Sequence, residues 1–380
     1  MIRVPVQPGM LTWARERADR SVEELAAKFP KLQAWEEGEL QPTWKQLEAF
    51  AKATRVPVGY LFLREPPEEH VPIPDLRTVG NIFLNRPSPD LLETIYLCQR
   101  RQAWYRDWAR SAGEEPLAFV GSARLDSPVE EAAADMRDAL GFDLEERRRF
   151  GTWSEALRRF VSQADELGVL VMVSGVVGSN NRRKLLPEEF RGFALADDLA
   201  PLVFINGADT KAAQMFTLAH ELAHIWLGES ALSDIGPASR PSRRIESWCN
   251  RVAAEILVPL EVLRGELKRG DVLNQVQPLA KRFKVSTLVI LRRLLDARRL
   301  TRREFEEAYK KEMARLLKRP KEKGGDFYLA QAARASRRFS RALVASTFEG
   351  RTSFTEALRL LGIKKIETLR SLGQEVGVQV

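Results

Sequence analysis

Histidine, cysteine and tyrosine are scarce in this chain of 380 residues, which has three, two and five of them. The cysteines, Cys98 and Cys249, are too few for a disulfide framework or a four-cysteine zinc site. No apolar run approaches the roughly 18 residues that a membrane helix needs. The N-terminus, Met1-Ile2-Arg3-Val4-Pro5, lacks the basic-then-apolar layout of a signal peptide. Internal repeats and low-complexity runs are also missing. These absences predict a cytoplasmic protein with no membrane partner. Hydrophobic residues make up 44% and charged residues 29%, which excludes a disordered or fibrous chain. At roughly 100–200 residues per domain, the length predicts two or three domains. A net charge of +8 permits a nucleic-acid partner but does not argue for one. With so few histidines, their positions carry unusual information.

The organisation changes along the chain. Residues 1–63 read as a small helical unit. Ser21 caps a helix with Glu24 three residues on, and Thr43 caps another through Trp44, Leu47 and Phe50. Residues 64–90 read as a linker, because four prolines between Arg64 and Pro74 forbid a regular helix. A helix is predicted from about Pro89 to Ala112, with Trp104 and Trp108 one turn apart on one face. Two further helices are predicted near 128–140 and 153–167. Residues 167–173, 190–196 and 201–206 then read as strands of one small sheet. Everything after Lys211 reads as helical. The expected fold class is therefore α+β, a mostly helical multidomain protein. Its domains are expected at 1–63, 91–270, 271–320 and 321–380, with the linker at 64–90.

The chemistry concentrates in His220-Glu221-Leu222-Ala223-His224, which uses two of the three histidines. On a helix, positions i and i+4 lie on one face, so both imidazoles can reach one metal, with Glu221 beside the first. Two ordinary core histidines are the plain alternative. The helical context and the intervening glutamate favour a metal, Zn2+. A catalytic zinc usually has three protein ligands and one open position. His70 lies far upstream in the linker. The longer H-E-x-x-H-x-x-G-x-x-H pattern is absent, since Leu227 and Ser230 stand where its Gly and last His belong. A carboxylate is therefore expected. The predicted helix from Arg244 to Val258 offers Glu246 and Glu255, about 900° apart and so on opposite faces. Asp234, in the connecting loop, is a third option.

Several stretches resemble the ImmA/IrrE family of zinc-dependent endopeptidases. They are Arg191-Gly192-Phe193, Pro201–Asn206, Phe216–His224 and the run Glu246-x-x-Cys249-Asn250-x-x-Ala253-Ala254-Glu255-x-Leu257-x-Pro259. Ile73-Pro74-Asp75-Leu76-Arg77-Thr78 resembles the segment that precedes this domain in longer members. The resemblance implies a zincin-like, gluzincin-type peptidase domain. It implies His220, His224 and Glu246 as metal ligands, with Glu255 an ordinary helix residue. It implies a zinc-bound water attacking the peptide carbonyl, with Glu221 as general base, and a repressor or antitoxin as the protein substrate. Strand 190–196 is expected to pair with an extended substrate peptide. The oxyanion-stabilising residue is not apparent: no tyrosine lies between Tyr105 and Tyr309, so an arginine or a distant tyrosine is expected to serve.

Two segments suggest nucleic acid. The first is similar to the helix-turn-helix domain of the XRE repressor class in Ser21–Ala26 and from Trp35 to Leu47. It is about four residues short where the turn and recognition helix belong, and Met10–Tyr60 carries no net charge. The second, Gln277–Leu294, reads as helix, turn, helix, with Ser286 as a cap. It lies in a basic stretch, Leu263–Val344, with 23 Lys/Arg against 9 Asp/Glu. If DNA binds, its contacts are expected around Lys281–Arg303, Arg292 and Arg293 included. A DNA-binding regulator whose zinc domain senses or docks is the rival reading.

Overall fold

The computed structural model describes residues 3–76, 87–233, 244–317 and 333–379, which divide into two compact units. The sequence positions Arg77, Thr78 and Asp234 lie outside the described residues.

The first unit holds α1 (Pro8–Arg17), α2 (Val22–Ala26), α3 (Leu32–Glu36), α4 (Trp44–Thr54) and a 3-10 turn at Val58–Phe62. Both predicted caps form. Ser21 with Glu24 and Thr43 with Gln46 close reciprocal capping boxes, each satisfying two backbone donors that a helix start leaves open. Phe29, Trp35 and Phe50 meet at ring-centroid distances of 5.6–6.5 Å above buried Leu11, Leu32 and Leu47. α2 and α3 are five residues each, about a turn and a half, and α3 buries Leu32 and Trp35.

The second unit carries the sheet. Its four strands are β1 (Leu170–Ser174), β2 (Gly192–Leu195), β3 (Leu202–Asn206) and β4 (Ala231–Ser233), in the order β1-β3-β2-β4. β1 and β3 run parallel, while β2 is antiparallel to both β3 and β4. The three predicted strands appear with later starts, and β1 runs one residue past its predicted end, to Ser174. β4 departs from the all-helical expectation after Lys211, because three residues are too few to show a period of two. Every residue of β2, β3 and β4 is buried, so these strands are covered on both faces. β2 is also paired on both sides, Gly192 facing Ile205 and Ser233. The expectation that strand 190–196 takes a substrate strand is thereby corrected: β2 has no free edge to offer.

Helices surround the sheet: α5 (Pro89–Ala112), α6 (Val129–Leu140), α7 (Leu144–Arg149), α8 (Trp153–Leu167), α9 (Lys211–Trp226), α10 (Arg244–Leu257) and α11 (Leu260–Glu266). α12 (Val276–Phe283) and α13 (Thr287–Asp296) follow, joined at Lys284 in the left-handed conformation, with Ser286 capping α13 as expected. Then come α14 (Arg302–Leu317), α15 (Arg337–Phe348), α16 (Phe354–Leu361) and α17 (Ile366–Glu375). One apolar core runs from Ala132 through α8, α9 and α10 to Phe305, crossing residue 270 without a break. Seven of the ten residues of α13 are buried, Val289, Ile290, Leu291 and Leu294 in this core. Arg293, expected as a phosphate contact, is one of the seven. Its guanidinium pairs with Glu255 and donates to the carbonyl of Val258 at 2.8 Å, so it cannot reach DNA in this fold. The C-terminal helices are clamped onto α5 and α8: buried Arg101 donates to the carbonyls of Leu360 and Arg334, and the Ser336 hydroxyl donates to Asp165. Among the described residues, no helix is long and apolar enough to cross a membrane.

Candidate metal centre

α9 begins at Thr210, whose hydroxyl accepts from the backbone of Ala213, and it is buried from Gln214 to Trp226. A helix sunk this deeply loses water around its whole circumference, so any polar side chain on it needs a partner. His220 and His224 lie one turn apart, with their Nε2 atoms 3.0 Å from each other. α10 packs beside α9 and presents Glu246 from its third residue. Its Oε1 is 3.1 Å from His224 Nε2, and its Oε2 is 3.5 Å from His220 Nε2. Glu246 thus reaches the two imidazoles through different oxygens, at 3.1 and 3.5 Å, beside a His220–His224 separation of 3.0 Å. Ligands at zinc's usual bond lengths in a tetrahedral arrangement stand about 3.4 Å apart, so the donor set fits that ion.

The electrostatics agree with the fit. Burial and the neighbouring His224 hold His220 well below the ordinary imidazole range, leaving it neutral, as a metal ligand must be. Burial and the charge of Glu246 push the Glu221 carboxyl well above the ordinary range, while Ser233 pulls the other way. Neither oxygen of Glu221 has a hydrogen-bond partner, and both are fully buried. A carboxylate left in that state needs a proton or a cation close by.

Backbone shape brings Glu221 to the sheet. A Cβ built on Gly192 would stand 2.5 Å from Thr217 Cγ2 and 2.9 Å from Glu221 Oε1. Glycine is therefore required for β2 to lie against this turn of α9. Arg191, Phe216, Thr217 and Ser233 line a small cleft together with His220 and Glu221.

Glu255 is elsewhere: it pairs with Arg293, and its Oε1 accepts from the Leu260 backbone at 3.1 Å. Two residues at the centre had no role assigned from sequence. Asn250, one turn beyond Glu246 on the same face, acts on the His220 ring, although its Oδ1 stops short of a full hydrogen bond. Its i+4 spacing from Glu246 was the available signal. Ser233 had none, because β4 was not legible. Two of the distant tyrosines are engaged elsewhere: the Tyr105 hydroxyl accepts from Arg338, and Tyr309 packs on Phe305, while Tyr328 lies outside the described residues. Arg191 is the cation lining the cleft, and its guanidinium is 3.2 Å from Asp209.

Residues 164–295 match the family profile of the IrrE N-terminal-like domain. That span runs from α8 to α13 and contains the whole centre, α12 and most of α13 included. Residues 335–375 match a second profile, a domain of unknown function (DUF8813). Among curated proteins, the chain is 39% identical over 121 residues to the radiation response metalloprotease IrrE of Deinococcus radiodurans. The alignment covers 30% of this chain and 36% of that relative, so the chain spans about a third of its length. No solved structure matches.

Proposed function

We propose that the chain is a zinc-dependent endopeptidase that cleaves a regulatory protein. The observation that carries this reading is the convergence of His220, His224 and Glu246 beside the unpartnered carboxylate of Glu221. The matched IrrE-like span and the metalloprotease relative support it. His220, His224 and Glu246 would hold the metal, and a bound zinc would supply Lewis acidity toward the scissile carbonyl and the attacking water. Glu221 takes the proton from that water and delivers it to the leaving amine. Burial and the neighbouring charge of Glu246 raise its proton affinity. Asn250 steadies the His220 ring. A helix-turn-helix repressor or antitoxin is the proposed substrate class, by resemblance to the family.

The test is to incubate the purified zinc-loaded protein with the repressor encoded by its neighbouring gene and to look for a cleavage product by mass spectrometry. Glu221→Gln keeps the size of the side chain but cannot accept the proton. General acid–base groups contribute about 10²–10⁴-fold, or roughly 2.7–5.4 kcal/mol. The variant should keep its zinc and its fold and lose cleavage by at least two decades. Unchanged regulation in cells carrying Glu221→Gln would show that proteolysis is not the function.

A further inference from the structure

The C-terminal helices form an open cavity against α5 that the proposed chemistry does not use. Its volume is about 630 Å³, within the range of small-molecule sites. One wall is a face of α5. Arg100, Trp104, Trp108 and Ser111 follow one another at steps of four, four and three residues, and so line about 16 Å of helix. The other wall is the corner between α15 and α16 with the first turns of α16. Gly350 takes a φ of +77° there and turns the chain back. The amides of Arg351 and Thr352 then both donate to the Ser346 carbonyl, at 2.9 and 3.1 Å. The two walls are tied together, since buried Arg101 on α5 donates to the Leu360 carbonyl on α16 at 2.8 Å. A cavity held in this way needs little rearrangement to take a ligand. Its second wall lies within the span 335–375 that matches the domain of unknown function.

The lining has a specific chemistry. Arg351 pairs with Glu349. Arg100 and Arg359 are exposed and have no acidic partner among the described residues. Two unpaired guanidiniums favour an anion, above all a phosphate, and disfavour a cation. The half-buried indoles of Trp104 and Trp108 lie nearly parallel, at 11°, with centroids 6.5 Å apart. Neither indole N–H has an acceptor among the described residues, so ring face and donor are both open to a ligand. Asp107 is taken by Arg110, at 3.7 Å. Glu356 has no cationic partner among the described residues, and its carboxylate suits the hydroxyls of a sugar. A bare inorganic anion would leave the indoles and Glu356 idle. An aromatic cation would face two like charges.

We propose that the cavity between α5 and the α15–α16 corner binds a nucleoside 5′-monophosphate, with its phosphate on Arg100 and Arg359 and its base against Trp104 and Trp108. The site is independent of the endopeptidase reading and gives the second matched span a ligand.

The test is isothermal titration calorimetry of the full-length protein with AMP, GMP, CMP and UMP, each at up to about 1 mM. At least one should bind. Arg100→Ala and Arg359→Ala should each weaken that nucleotide about tenfold or more, the usual worth of a hydrogen bond to a charged group. Both side chains are exposed, so circular dichroism should show an unchanged fold. Trp108→Leu should weaken binding by a similar factor through lost stacking. Arg303→Ala, on α14 and outside the cavity, should bind as the unaltered chain does. Inorganic phosphate and the unphosphorylated nucleoside should each bind at least tenfold more weakly than the nucleotide. If Trp108→Leu does not fold, the comparison with inorganic phosphate carries the stacking part of the test. The proposal falls if none of the four nucleotides binds, if Arg100→Ala and Arg359→Ala both leave affinity unchanged, or if phosphate alone matches the nucleotide. Binding of a single-stranded oligodeoxynucleotide through the same arginines, with no mononucleotide bound, also overturns it and makes the cavity a nucleic-acid contact.

Discussion

At the scale of single residues, the two glutamates of α10 have different partners: Glu246 lies against His220 and His224, and Glu255 pairs with Arg293. His220 and His224 could be paired from their spacing alone, and the helical period put Glu246 and Glu255 on opposite faces. It could not say which face met the histidines, because that depends on how α10 lies against α9. The structure turns Glu246 inward and gives Glu255 to Arg293. The two glutamates should therefore fail differently. Glu246→Ala should lose the metal, measured by atomic absorption on the purified protein, and melt cooperatively. Glu255→Ala should keep its metal but leave the buried Arg293 guanidinium with only Asp296 and the Val258 carbonyl, a loss below the roughly 3–5 kcal/mol of a fully unpaired buried charge and read from denaturant melts. Metal loss in Glu255→Ala alone would reverse the assignment. Asn250→Ala should weaken metal affinity by about 10–100-fold, the usual effect of removing a group that orients a ligand. Competition with a chelator measures it.

At the scale of elements, the long helices and the three longer strands were legible within a few residues. β4 was not, since nothing in Ala231-Leu232-Ser233 separates a strand from a turn. Pairing order was not legible either. Which strand lies at an edge is set by partners far away in sequence, so β2 looked available when it is flanked on both sides. Gly192 is where strand and helix constrain each other. Gly192→Ala should cost about 1–3 kcal/mol, because the added methyl meets both Thr217 and the Phe204 carbonyl. Adding Thr217→Ser should recover part of that loss, as thermal melts would show.

Asp165 links α8 to the start of α15 through Ser336. Burial raises its carboxyl to about 6, above the ordinary 3.8. The folded state therefore holds a proton that the unfolded chain releases. This contribution is fully present below about pH 4, fades as pH rises to about 6, and then stays lost, by roughly 3 kcal/mol. Asp165→Asn keeps an oxygen for the Ser336 hydroxyl and has no proton to lose. Its stability should be flat across that window where the unaltered chain declines. Parallel slopes in urea titrations at pH 4, 5 and 6 would refute this.

At the scale of the whole molecule, counting charge was a poor guide to where charge sits. The stretch Leu263–Val344 is strongly basic, and α12 and α13 read as a separate helix-turn-helix. Yet α13 is buried in the same core as α9 and α10. Each of its apolar residues could be read from the sequence, but their common burial depends on a partner surface that only the fold supplies. If DNA binds, it must use outward residues such as Arg298, Arg299 and Lys281. Charge reversal at these positions should flatten the salt dependence of any binding, whereas Arg293→Ala should lower stability first. Filter binding at several salt concentrations tests the former and melting the latter.

The unbroken core also decides what can be made in isolation. A fragment stopping at Gly270 would keep every residue of the proposed metal centre and still lack the surface that covers it. Val276, Phe283, Ile290 and Leu294 would be gone, and the apolar faces they cover on the remaining helices would meet water. Bare patches of that kind make proteins stick to one another. Such a fragment should scatter light and sediment on expression while the full chain stays dispersed, so an inactive truncated preparation would report on its solubility, not on its chemistry.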